Sequence, residues 1–201
     1  MGPERSWLWR FGIAVVLVAV GVGAGMWIQF HRHTDEGGVR LTATEIEFAQ
    51  DMSVHHEQAV LLAHTLASDV DPYIRSMADQ IIAAQTAEIA TMRGWLNLVG
   101  EPFSPPHQMN HGGGPAMPGM ASVEEITRLG TLHGSEAEID FLQLMVRHHR
   151  GGVDMAQKAF NESTTQPVRL FALDMVQAQG NEIGMMTTML VARNAATLAY
   201  P

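Results

Sequence analysis

The chain contains no cysteine, which excludes disulfides, thiolate zinc sites and a lipidated N-terminal cysteine, and leaves the redox compartment undetermined. Basic residues are few: 12 Lys and Arg stand against 21 Asp and Glu, with no dense basic run. The electrostatic footprint of a nucleic-acid binder is therefore missing, and nucleic acid is excluded as a partner. No Glu-x-x-His occurs, which argues against a di-iron ferroxidase or oxygenase. The "HHEQA" at 55–59 does not match the H-E-x-x-H of zinc hydrolases. There is no Ser–His–Asp set, phosphate-cradling glycine loop or dinucleotide fingerprint, so nothing compels an enzyme. Beyond residue 40 no stretch alternates as a strand would. Against these absences stand 14 Met and 10 His. Thioether and imidazole together suit copper, although methionine also fills helical cores.

Residues 11–28, "FGIAVVLVAVGVGAGMWI", form an uncharged apolar run about as long as the minimum for a membrane-spanning helix. Arg5 and Arg10 precede it and His31, Arg32, Asp35 and Glu36 follow, a small excess of positive charge on the N-terminal side that weakly favours a cytoplasmic N-terminus and an extracytoplasmic remainder. A cleaved signal peptide is the alternative, with Gly23 and Gly25 before the cleavage point, but the run exceeds an ordinary signal core. The expected organisation is a cytoplasmic 1–10, a single-pass membrane anchor at 11–30, a juxtamembrane linker at 31–41 and a helical domain at 42–199.

That domain shows four long stretches with three- and four-residue apolar spacing, and the sequence predicts helices near 44–68, 72–98, 136–161 and 167–195, with a short one near 123–132. Thr42 and Thr44, Asp71-Pro72, Ser122 with Glu125, Ser135 with Glu138, and Pro167 supply the start signals. The second pair of helices repeats the first. A shift of 93 residues superposes Phe48, Met52, His55, His56 and Ala63 on Phe141, Met145, His148, His149 and Ala156. A shift of 94 superposes Gln85, Glu88 and Met92 on Gln179, Glu182 and Met186. Two copies of one hairpin, each with an apolar stripe to cover, predict an all-α, ferritin-like, up-down-up-down four-helix bundle. The linker at 100–121 is rich in Pro and Gly and carries His107, Met109, His111, Met117 and Met120, as a copper-capture segment or simply a biased loop.

Heptad positions place His55 and His148 in the seams of their helices, with His56 and His149 about 100° further round. Glu88 and Glu182 also face inward. Counting residues from each hairpin turn at about 1.5 Å per residue puts His55 within roughly a helical turn of Glu88, and His148 likewise of Glu182. With the hairpins related by a pseudo-twofold along the bundle axis, these four groups form one polar layer. Met52, Met145, Met92 and Met186 lie close by, and the linker begins and ends at one end of the bundle. Buried glutamates and histidines demand partners. One answer is a metal site of imidazole and thioether ligands, with the glutamates binding or orienting the rings; copper fits best, another divalent transition metal being the alternative. The other answer is a structural or protein-interaction bundle whose His–Glu pairs set register. Gln85 and Gln179 would complete hydrogen bonds to the glutamates. His31, His33, His64 and His133 read as surface residues.

The segments "EFAQDMSVHHEQAVLLA", "MADQIIAAQTAEIATMRGWL", "DFLQLMVRHHRGGVDMA" and "AQGNEIGMM" resemble the bacterial domain of unknown function 305 over roughly residues 42–192. The resemblance implies a ferritin-like bundle, an extracytoplasmic location, an association with copper in some members, and Met52, His55, His56, Met145, His148 and His149 as ligands. The chain departs from the commoner pattern at Leu62, where methionine is frequent, and at Gly151-Gly152 after the second histidine pair. Two helical glycines imply a locally loose helix or one that another segment approaches closely.

Overall fold

In the computed structural model of the protein, residues 40–105 and 117–200 are described. The expected anchor at 11–30, residues 1–10 before it, 31–39 of the linker after it, and His107, Met109 and His111 lie outside them. No helix among the described residues is long and apolar enough to cross a membrane.

Five helices and no strand form the described part: α1 Ala43–Thr65, α2 Pro72–Val99, α3 Val123–Leu129, α4 Gly134–Glu162 and α5 Gln166–Ala192. Their ends follow local chemistry. Thr42 and Glu45 form a reciprocal capping box on α1, and Ser122 and Glu125 do the same for α3. Asp71 accepts from the Tyr73 amide at 2.7 Å, with Pro72 in the first turn of α2. Gly100, at φ +76°, closes α2 in the left-handed conformation that costs glycine nothing. The expected Ser135–Glu138 box does not form: α4 starts at Gly134 without a side-chain cap, and Glu138 is committed elsewhere.

Each long pair is a hairpin, α1 with α2 and α4 with α5, and the apolar side chains sort into two clusters. One gathers Leu66 and Ile74 from the first hairpin's turn, Phe141 and Met145 from the start of α4, and Met186 and Leu190 from the end of α5. The other gathers Phe48 and Met52 from the start of α1, Met92 and Leu96 from the end of α2, and Ala159 and Val168 around the second turn. Each hairpin's turn thus lies beside the other hairpin's open end. The order is up-down-down-up, not the up-down-up-down expected, and the pseudo-twofold lies across the bundle axis rather than along it.

Two equivalent glutamates hold this arrangement. Buried Glu45 accepts from the Thr164 and Thr165 amides at 3.0 and 2.8 Å and from the Thr165 hydroxyl at 2.9 Å. Glu138, 93 residues later, accepts from the Asp71 amide and from Arg193 Nε, each at 2.7 Å. Each carboxylate stitches the start of one hairpin to the turn of the other. Because α2 and α4 then run the same way, the chain between them must return along the bundle. A 29-residue α4 is about 43 Å long at ~1.5 Å per residue, so the connection is one long crossover, the connectivity of ferritin-like bundles.

Candidate metal centre

Between the two apolar clusters α1 and α4 cross antiparallel, and the crossing is made by histidine. His55, His56, His148 and His149 are all fully buried. The rings of His55 and His148 lie with centroids 3.8 Å apart, tilted by 33°. His55 and His148 are thus brought together across the seam as the heptads predicted. His56 and His149 flank them at 6.4 and 6.1 Å from their neighbours.

The glutamates pair differently from expectation. Glu88 bonds His56 Nε2 at 2.7 Å, and Glu182 bonds His149 Nε2 at 2.7 Å. They serve the flanking rings rather than the seam rings, and each carboxylate side chain remains about one-fifth exposed, 22% and 21%. A group 100° off the seam points toward the partner helix of its own hairpin, which is where α2 and α5 carry these glutamates.

The two seam rings are held by backbone. His55 Nε2 lies 3.1 Å from the Pro118 carbonyl, and His148 Nε2 lies 3.0 Å from the His55 carbonyl. A carbonyl only accepts, so both Nε2 atoms carry the proton. Burial, reinforced by the charge of His56, pushes the His55 pKa down to about 3. Burial and the charge of His55 hold His148 well below the ordinary imidazole value. Both rings are therefore neutral at ordinary pH, with a bare lone pair on Nδ1. None of the four Nδ1 atoms, in His55, His56, His148 or His149, has a hydrogen-bond partner. Among the described residues no three His, Asp or Glu side chains are grouped as a ready metal shell.

Met52, Met92, Met145 and Met186 are fully buried, Met52 with Met92 in one apolar cluster and Met145 with Met186 in the other. They flank the histidine band on both sides. Met52 and Met145 precede the histidine pairs by three and four residues and so share their helix face. His64 and His133 are exposed, as expected.

Sequence reasoning missed the strap formed by residues 117–121. Gln58 grips Ala121 twice, donating to its carbonyl at 2.9 Å and accepting from its amide at 2.7 Å. Arg147 donates to both oxygens of Glu125, at 2.9 and 2.6 Å, and to the Met120 carbonyl at 3.3 Å. Between these anchors Pro118 lies against α4. A Cβ on Gly151 would come 1.8 Å from the Pro118 oxygen, and one on Gly119, itself at φ +78°, 2.4 Å from the Arg147 oxygen. The Gly151-Gly152 pair was the available signal: the helix is closely approached, not loose. Gln85 and Gln179 are buried but do not bond the glutamates; neither atom of either amide has a hydrogen-bond partner.

The pattern of the family described as domain of unknown function, DUF305, matches residues 45–190. The chain belongs to the DUF305 family. It is similar to a predicted secreted DUF305 protein from Streptomyces coelicolor, at 37% identity and TM-score 0.71, covering 78% of this chain and 97% of that one. A DUF305 fragment from Deinococcus radiodurans shares 32% identity at TM-score 0.67, covering 77% and 99%. The same DUF305 fold is found in CopM in its Cu(I)-bound form, at 22% identity and TM-score 0.60, covering 75% and 98%. CopM has also been solved with Cu(II) and with silver bound. No protein of curated function matches the sequence.

Proposed function

We propose that this DUF305 protein binds copper as cargo outside the cytoplasm, as a chaperone or buffer, in the histidine band between its hairpins. The observation that carries the reading is four fully buried imidazoles whose Nδ1 atoms have no hydrogen-bond partner. A buried polar atom left unpaired costs about 1–3 kcal/mol, so four at one level are more than a packing accident. The donor set suits the metal. His55 and His148, neutral and protonated on Nε2, offer Nδ1 without first losing a proton. Glu88 and Glu182 orient His56 and His149 from behind, as carboxylates do for metal-ligating imidazoles. Met52 and Met145 supply thioethers on the same helix faces, with Met92 and Met186 beyond them. Soft thioether and borderline imidazole together favour Cu(I) over zinc or iron. The secreted relative and the metal-bound forms of CopM agree with a copper role beyond the cytoplasmic membrane, to which residues 11–30 would tether the domain.

A second reading, a structural or protein-interaction bundle, has the two His–Glu pairs in its favour, since they would fix hairpin register without any ion. The variant His55→Ala/His148→Ala separates the two. Stoichiometric Cu(I) binding, measured by competition with a chromogenic chelator, should be abolished while circular dichroism keeps its helical signal. Retained binding rejects the site, and a wild-type protein that takes no copper rejects the function.

A further inference from the structure

Among the described residues, Gln85 and Gln179 are buried amide side chains that the reading above leaves without work. Each is only 3% exposed, and in each both the amide oxygen and the amide nitrogen lack any hydrogen-bond partner. They occupy equivalent places: Gln85 is one turn before Glu88, and Gln179 one turn before Glu182. The second half of the molecule makes room for its amide. Gly152 stands where the repeat has Ala59, and a Cβ there would come 2.3 Å from Gln179 Oε1 and 3.1 Å from its Nε2. Gly152 is four residues beyond His148 and three beyond His149, so Gln179 lies beside the histidine face of α4. A core that wanted only register would carry leucine at these positions, because an apolar isostere leaves nothing unsatisfied.

We infer that Gln85 and Gln179 are oxygen donors that fit the centre to Cu(II) as well as Cu(I). The inference rests on the copper reading above and deepens it. Monovalent copper is soft and is satisfied by few imidazole and thioether ligands; divalent copper is harder and takes a tetragonal N,O shell. Four Nδ1 atoms and the methionines serve the first. The amide oxygens, one per half-site and free of competing hydrogen bonds, serve the second. The band would then hold the ion in either valence without exchanging its histidines.

The test is Gln85→Leu/Gln179→Leu, with Gln85→Glu/Gln179→Glu as the variant that restores an oxygen. In the leucine variant the Cu(II) dissociation constant should rise by about tenfold or more, the scale on which metal-supporting residues act. Its Cu(I) constant should stay within about twofold, and its metal-free melting temperature should not fall. The Cu(II) electron paramagnetic resonance spectrum should change in the leucine variant and return toward wild type in the glutamate variant. Equal effects on both valences, or none on either, overturn the inference while leaving the copper site standing. Should the double leucine variant fail to fold, Gly152→Ala displaces Gln179 with every donor atom still present. It should weaken Cu(II) selectively, and an unchanged ratio of the two constants overturns the inference as well. A wild-type protein that binds neither valence defeats the copper reading and this inference together.

Discussion

His55 and His148 are isolated from water so fully that their protonation is tied to unfolding. In the folded chain burial holds His55 near 3 and His148 well below 6.5, whereas both return to about 6.5 when the chain unfolds. Below 6.5 the unfolded state therefore binds more protons, and stability falls as pH falls; above 6.5 the two states bind alike and stability levels off. The slope approaches about 1.4 kcal/mol per pH unit for each ring that titrates only on unfolding. Glu45 acts in a lower window. Burial pushes its pKa up, but its hydrogen bonds to Thr42 and Thr165 outweigh this and hold it below 4.5. Its contribution is present above 4.5 and lost as pH drops through its folded value. Urea unfolding of the metal-free protein between pH 7 and 5 should thus isolate the histidines. Wild type should lose stability steadily below 6.5, and His55→Ala/His148→Ala should have a distinctly flatter profile. Equal slopes would mean that the seam rings reach water in the folded state.

Among the elements, α4 and the strap make the molecule's two halves unlike each other. The repeat predicts matching faces on α1 and α4, yet Gln58 on α1 grips the strap while its counterpart Gly151 yields space to it. Glycine inside a helix costs about 1 kcal/mol relative to alanine, so an open site should gain from Gly→Ala and a crowded one should not. Gly94 in α2 has nothing within 4 Å of its would-be Cβ, while Gly151 meets the Pro118 backbone. Gly94→Ala should therefore stabilise the protein by up to about 1 kcal/mol in urea unfolding. Gly151→Ala should instead lift the strap, break the bond from His55 Nε2 to Pro118, and speed amide exchange at Ala121, whose N–H Gln58 now accepts. A stabilised Gly151→Ala with unchanged exchange would show that the strap does not press on α4. The helices themselves were legible in the sequence, since capping boxes at Thr42 and Ser122 and the prolines at 72 and 167 are local signals. The strap was not, because a carbonyl oxygen leaves no trace in residue type; only the glycines it requires did.

For the whole molecule, the inverted packing of the hairpins was hidden for a related reason. Heptad spacing says which residues face the core and is indifferent to the direction in which the second hairpin runs. Counting from the turns relates each histidine pair to the glutamate of its own hairpin, and only the lengthwise twofold joined the two hairpins in one layer; in the inverted packing they meet because both histidine pairs lie near the middle of their helices, Ala43–Thr65 and Gly134–Glu162. Glu45 and Glu138 read in the sequence as helix-capping residues, and only their burial and their bonds to the other hairpin's turn show the crossed arrangement. That arrangement has a thermodynamic consequence. The band draws His55 and His56 from one hairpin and His148 and His149 from the other, so an ion held there clamps halves that otherwise meet through apolar clusters and the two glutamate stitches. Binding to the folded state alone stabilises it by RT ln(1 + [L]/Kd), about 2.7 kcal/mol at a free concentration of 100 Kd. For a domain of this size that corresponds to roughly 5–10 °C in melting temperature. Calorimetry in a Cu(I) buffer should show the upward shift, which a chelator should reverse and His55→Ala/His148→Ala should lack. A bundle whose His–Glu pairs only fix register would melt at one temperature with and without the ion, and that result would remove the reason for placing copper between the hairpins.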